Sequence, residues 1–285
     1  MIFLAKRNRV ETPEKQAKWI KEGRGSGYGE NYKPWLTIHD VPSKGGRSRI
    51  AGTKIKREHH LLSNLERDYF LILEYRDSVI DIREQFPLFE LTETLAIAKE
   101  CGIEPPTDPI SNCPIVMSSD FRITIKAGNG TVDVVRTVKP KGDLMDERII
   151  QKFEIEKRYW KSKGLDWGIV TELEINQVLA KNLNDLRSCH DLSNLDGFKS
   201  ISVKNQDALV SAFKQTVSGN RVVIRDIAHD FDSKMTLEIG TSLSIFKHLL
   251  YTKQINMDID TVKLKFDTPQ EISVVKSGDI GVFAG

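Results

Sequence analysis

The stretch IVMSSDFRITIKAGNGTVDVVRTVK, residues 115–139, holds the strongest local signal in the chain. Two runs rich in β-branched residues flank Gly128-Asn129, the composition of a tight hairpin turn. A two-residue turn at that point sets the register. Ile123 then faces Val134 and Ile125 faces Val132, which makes one apolar sheet face. The opposite face carries Asp120 across from Thr137, with Lys139 on the diagonal. Directly opposite residues lie about 5 Å apart and diagonal ones about 7–8 Å, within reach of one shared water.

Working outward, a helix is expected over about 143–163, stopped by Gly164, followed by a strand LDWGIVT at 165–171. Upstream, Leu65, Tyr69, Ile72 and Leu73 recur at helical spacing over 63–77, behind a capping-box pattern Ser63-x-x-Glu66. VIDIREQF (79–86) reads as a strand ending at Pro87, and 92–104 as a modest helix. Residues 12–22 form a short helix with Thr12 as N-cap and Pro13 at its first position. The loop GRGSGYGENYKPW (23–35) follows a helix rather than a strand, so it is no dinucleotide fingerprint, and no GxxxxGK[ST] occurs. That loop, with Arg24, Tyr28, Tyr32 and Lys33, suits either a DNA backbone or a flexible connector.

The pattern to about residue 172 is α/β with one mixed sheet. Beyond 175, helical stretches at 176–187, 205–217 and 241–252 alternate with strand candidates at 221–224, 234–238 and 261–266. We expect two domains, 1–172 and 173–285, the second small and of winged-helix type.

The 285 residues carry 42 Lys+Arg against 40 Asp+Glu, a net +2 that by itself gives no sign of a nucleic-acid partner. The distribution does. Residues 1–60 hold 14 basic and 6 acidic residues, a local +8, which reads as a basic arm for phosphate or as a partnerless extension. No run approaches a membrane span, and the start MIFLAKRNRV is unlike a signal peptide. Cys101, Cys113 and Cys189 are scattered without a CxxC, which argues against a disulfide scaffold or thiolate zinc site and for a reducing cytoplasm.

Metal-assisted phosphodiester cleavage needs hard oxygen ligands, a place for the attacking water and a nearby cation. Asp120, Thr137 and Lys139 have that disposition. Glu66 falls within the apolar face of Leu65, Tyr69, Phe70 and Leu73, and Glu156 within that of Met145, Ile149, Phe153 and Trp160. An inward carboxylate must be paired, neutral or bound to a cation. Each also has a plainer reading: Glu66 as the capping-box acid, Glu156 paired with Lys152 or Arg158, Asp120 and Lys139 as a cross-strand ion pair. His59-His60 lies in a basic loop, touching a phosphate backbone or merely solvated, and no HxxxH or HExxH suggests zinc.

The segments KEGRGSGYGENYKPWLT (21–37), HHLLSNLERDYFLILE (59–74), SVIDIREQFPL (78–88), MSSDF (117–121), VKPKGDLMDER (138–148) and EIEKRYWKSKGLDWGIVTELEIN (154–176) together resemble TnsA. This is the family of endonuclease subunits of Tn-seven-type heteromeric transposases. The resemblance runs in order from about residue 20 to 180. It implies a restriction-endonuclease-like mixed sheet with flanking helices, then a winged-helix-like C-terminal domain. It implies Glu66 and Asp120 as ligands of Mg2+, with Mn2+ able to substitute, Lys139 beside the scissile phosphate, and Glu156 in a supporting role. One position departs from the family: a threonine, Thr137, stands where TnsA has a glutamine two residues before the lysine, so only its backbone carbonyl or hydroxyl could serve the metal. The resemblance further implies cutting of the 5′ strands at transposon-end DNA in cut-and-paste transposition. It implies a TnsB-like integrase-type transposase and a TnsC-like ATPase as partners, in a bacterial cytoplasm and at the nucleoid when acting. Alternatives are a stand-alone nuclease of the same fold, such as a restriction enzyme or junction resolvase, and a non-catalytic DNA-binding adaptor. Arg24, Lys33, His59 and His60 are the candidate DNA contacts.

Overall fold

The computed structural model describes residues 10–41, 46–199, 201–217 and 221–275. The first nine residues of the basic arm and Lys44 lie outside them. The chain divides into two compact units, 1–175 and 176–285. No helix among the described residues is long and apolar enough to cross a membrane.

In the first unit the order is α1 (Pro13–Lys21), β1 (Ser48–Ala51), β2 (Glu58–Leu61), α2 (Asn64–Tyr75), β3 (Val79–Pro87), α3 (Leu91–Glu100), β4 (Ser118–Ala127), β5 (Gly130–Val138), α4 (Glu147–Ser162) and β6 (Asp166–Val170). Strands β3-β4-β5-β6 form a mixed sheet, antiparallel except for the β5/β6 pair, which α4 connects. The hairpin pairs Ile123 with Val134 and Ile125 with Val132, the register that Gly128-Asn129 dictates. Its expected apolar face is only half closed: Ile123 is buried, whereas Val132 near the turn is 45% exposed.

Helix starts follow local chemistry. Thr12 Oγ1 accepts from Lys15 N at 3.3 Å with Pro13 next in line, and Asp146 caps α4 by accepting from Arg148 N and Ile149 N. That cap starts α4 later than the periodicity suggests. Met145 therefore lies outside the helix and is 89% exposed, not part of its inward face. Tyr32, Phe86, Leu88, Ile97, Val135, Ile155, Tyr159 and Trp160 build the core between the sheet and α3/α4. The glycine loop is a folded element: Gly25 has φ +73° and a Cβ there would lie 2.3 Å from Pro87 Cγ, so the loop seats against the end of β3.

The hairpin β1/β2 has no counterpart in the sequence reading, which puts His59-His60 in a loop; both histidines lie on β2. A buried ion cluster, Arg57 and His59 on Glu84, ties the hairpin to β3, and apolar periodicity does not reveal it.

The second unit contains α5 (Gln177–Leu186), α6 (Val203–Thr216), β7 (Arg221–Val223), α7 (Ile224–Met235), α8 (Thr241–Tyr251), β8 (Ile255–Asn256), β9 (Pro269–Glu271) and β10 (Ser273–Val274). Leu183, Leu186, Phe213, Phe231, Ile245, Phe246 and Leu249 make its core. The strands expected at 234–238 and 261–266 are absent among the described residues. Ile224, Ala228 and Phe231 instead bury one face of a helix that runs to Met235. Asp232 then ties that helix to α8 by accepting from Gly240 N at 2.7 Å and Ser242 N at 2.8 Å.

Candidate active site

Where β4 and β5 part company, the first unit places three of its inward acids, Glu66, Asp120 and Glu156. The ladder between the two strands runs as far as Phe121 opposite Arg136. Beyond it the strands separate, and Asp120 Oδ2 fills the gap by accepting from Val138 N at 2.7 Å. From α2, Glu66 Oε2 accepts from Leu62 N at 2.8 Å, while Ser63 Oγ accepts from Glu66 N at 3.1 Å. Ser63 thus caps α2, and Glu66 reaches back to the residue before the cap as an inward acid, 6% exposed. Between the two carboxylates sits Gln85 of β3. Its Nε2 donates to Glu66 Oε2 at 3.3 Å and to Asp120 Oδ1 at 3.2 Å.

Gln85 has φ +49°, a left-handed conformation inside a strand. Its consequence is visible on both strands. Phe121 packs edge-on to Tyr69 of α2, with centroids 5.6 Å apart. Regular alternation would keep Ser119 on that side, yet Ser119 Oγ donates to Glu156 on α4 at 2.5 Å. On β3, Glu84 meets the β1/β2 hairpin, while Phe86, two residues on, lies 5.9 Å from Trp160 of α4. The pleat reverses at the facing pair Gln85 and Asp120. This corrects the expected shared face of Asp120 and Thr137: Asp120 joins Gln85 and Glu66, whereas the Thr137 hydroxyl donates to Glu156 Oε1.

Glu156 Oε1 also accepts from Trp167 Nε1 at 2.9 Å, and Trp160 Nε1 donates to Ser119 Oγ at 2.7 Å. The plainer alternative for Glu156, a pair with Lys152 or Arg158, is not what forms: Arg158 donates to Glu154. Lys139 follows β5; its amide is held by Val170 O at 2.9 Å and its Nζ stands 4.0 Å from Asp143 Oδ2, with the side chain 36% exposed.

The electrostatics follow from burial without neutralisation. Desolvation, then the charge of Asp120, pushes the Glu66 carboxyl up to about 8. Desolvation raises Asp120 as well, and lifts Glu156 to about 7 despite three donors. The Lys139 ammonium opposes the shifts of Glu66 and Asp120. Among the described residues no three His, Cys, Asp or Glu side chains form a ready-made metal cluster. What exists is a pair of hard oxygen donors lacking a positive partner between them. That fits Mg2+, which is held by one or two carboxylates and completed by waters and substrate phosphate.

The candidate DNA contacts divide. His59 is fully buried, its Nδ1 donating to Glu84 Oε2 at 2.9 Å, so it touches no phosphate. Arg24 is held by Asp40 at 2.8 Å, by Trp35 O at 3.2 Å and over the Trp19 ring. Lys33 is exposed, with Nζ donating to Glu22 O, and His60 keeps a partly exposed ring 3.5 Å from Glu58. Gln85 is the residue that the sequence reading missed; following Arg83 and Glu84, it carries no local signal.

Two family models match the chain: TnsA-like endonuclease N terminal over residues 76–172, and TnsA endonuclease C terminal over 174–259. The chain is also 39% identical over 264 residues to the transposon Tn7 transposition protein TnsA of Escherichia coli, with 90% of each chain covered.

Proposed function

The chain belongs to the TnsA endonuclease family, and from that premise we propose that this endonuclease subunit of a transposase cuts the 5′ strands at transposon-end DNA in a Mg2+-dependent reaction. One observation carries the metal reading: Glu66 and Asp120, from a helix and a strand, converge on one buried amide with no cation between them. In this reading the two carboxylates hold the ion, with the Thr137 backbone carbonyl as a candidate third donor. When bound, Mg2+ would polarise the phosphate and lower the pKa of bound water. Lys139, partly exposed and close enough to act on both carboxylates, orients the water and offsets charge developing on the phosphate. Glu156 supports the site from beneath: with Ser119 and Trp160 it anchors α4 to the strand end that carries Asp120. Val138 N, donating to Asp120 Oδ2, holds that carboxylate in place.

The four-stranded mixed sheet with Asp120 at a fork between strands supports a restriction-endonuclease-like assignment for the first unit, and the helical second unit is read as winged-helix-like. We propose a TnsB-like integrase-type transposase and a TnsC-like ATPase as partners, because the relative is named for Tn7 transposition. Lys139→Ala should keep the fold and partner binding and lose strand cleavage by roughly 10²-fold or more in the assembled transposase on transposon-end DNA. Unchanged Mg2+-dependent nicking by that variant would sink the site assignment. A stand-alone nuclease would cleave without partners. An adaptor would show no Mn2+-induced stabilisation sensitive to Asp120→Ala.

A further inference from the structure

We propose that Gln85 is a switchable ligand of the metal site: its amide donates N–H to Glu66 and Asp120 when no ion is bound, and turns over to offer Oε1 when one is. The inference rests on the metal reading above and concerns a residue outside it.

Gln85 is 2% exposed, so each of its polar atoms needs a partner. Nε2 spends its two hydrogens on two carboxylates, at 3.3 and 3.2 Å, the long end of the hydrogen-bond range. A neutral amide there supplies part of the positive charge that both acids lack. A cation entering between them meets the hydrogens of that NH2 group, a repulsive arrangement. Turning the amide by half a rotation replaces them with a carbonyl oxygen, a hard donor suited to Mg2+.

The far end of the side chain makes this turn cheap. Ser118 Oγ donates to Gln85 Oε1 at 3.2 Å. A hydroxyl can also accept, so after the turn Nε2 donates to the same Ser118 Oγ and no buried polar atom is stranded. Serine is suited to this; a backbone N–H would satisfy one orientation only, and an alanine neither.

The backbone supports a role beyond filling space. A non-glycine residue at φ +49° is held against a conformational penalty and persists only where its surroundings over-determine it. Those surroundings are present. Trp35 N donates to Gln85 O at 3.1 Å, Tyr32 Oη donates to Glu84 O at 3.0 Å, and the ladder to β4 resumes on both sides at Glu84 and Phe86. The result is to aim the one neutral amide at both acids. Of the two neutral oxygens that Thr137 could have offered, the hydroxyl is engaged elsewhere, donating to Glu156, which leaves only the backbone carbonyl.

The test is calorimetric titration of Mn2+ alone into the full chain, comparing the unaltered protein with Gln85→Leu and Gln85→Glu, each checked for fold by circular dichroism. Gln85→Leu should weaken Mn2+ binding by roughly tenfold or more, the scale seen when a metal site loses a supporting polar group. Gln85→Glu, which presents oxygen permanently and adds charge, should tighten it. Unchanged or tighter binding by Gln85→Leu would mean that the amide only competes with the ion, and would overturn the proposal. Should Gln85→Leu fail to fold, Gln85→Glu decides: binding no tighter than the unaltered chain overturns it. Absence of Mn2+ binding by the unaltered chain would defeat the metal reading itself, an outcome distinct from a binding chain indifferent to Gln85.

Discussion

Glu84 and Gln85 are neighbours on β3, yet they belong to two carboxylate clusters assembled in opposite ways. Glu84, fully buried, receives four donors: Arg57 Nη1 at 2.8 Å, Arg57 Nη2 at 2.5 Å, His59 Nδ1 at 2.9 Å and His60 N at 3.1 Å. The guanidinium and the ring overcome desolvation and hold its carboxyl down at about 2. Glu66 is buried and Asp120 half-buried, and they receive backbone amides and one shared neutral side chain; desolvation raises both carboxyls. Desolvation acts in both clusters; a cation hydrogen-bonded to the carboxylate separates them. One is complete as folded and clamps the β1/β2 hairpin to the sheet. The other has Lys139 nearby, but no cation is bonded to either carboxylate among the described residues.

The largest expected effect breaks the complete cluster. Glu84→Gln strands the Arg57 guanidinium in a buried site and should cost about 3–5 kcal/mol, since removing one partner of a buried pair exposes its desolvation penalty. All four tryptophans, Trp19, Trp35, Trp160 and Trp167, precede residue 175, so tryptophan fluorescence in urea reports on the first unit alone. A loss under about 1 kcal/mol would place Glu84 with ordinary surface pairs.

The same cluster should show itself in acid. Glu84 is held at about 2 in the fold against an ordinary value of 4.5. A depressed carboxyl contributes its stability in full above the unfolded value and loses it as the pH falls through the folded one. The first unit should therefore weaken between about pH 4.5 and 2, by about 3 kcal/mol from this residue. Subtracting the urea profile of Glu84→Gln over the same range isolates the contribution; parallel profiles would refute it.

The contrast also marks how much the amino-acid sequence discloses. The β4/β5 hairpin, its register and the cap of α1 were legible because Gly128-Asn129 and Thr12-Pro13 act within a few residues. Glu66 was legible as a candidate because an acid on an apolar face demands a reason, and Asp120 and Lys139 because the hairpin register sets them near each other. The β1/β2 hairpin was not, since Arg57 and His59 face inward to a glutamate 25 or more residues away and read locally as a basic loop. Nor was the reversal of the pleat at Gln85. Nothing in Arg83-Glu84-Gln85-Phe86 announces a left-handed residue that is neither glycine nor asparagine, and it is tertiary contact from Tyr32 and Trp35 that imposes it.

The smallest effect should have the opposite sign. Asp120→Asn removes a charge from the incomplete cluster while keeping an oxygen for Val138 N, and Gln85 can turn its amide to accept from the new NH2 group. Without metal, in EDTA, the variant should therefore be as stable as the unaltered chain or up to about 1 kcal/mol more so, the trade-off expected where a site is kept for function. Adding excess Mn2+ should reverse the order. The unaltered chain gains stability with every increment of bound ion, and the variant, lacking one carboxylate, gains far less. The reversal is what distinguishes the clusters, because no solution condition should make Glu84→Gln the more stable form above pH 5. If Asp120→Asn instead lost several kcal/mol in EDTA, Asp120 would be a structural carboxylate like Glu84, and the difference between the two neighbouring sites would vanish.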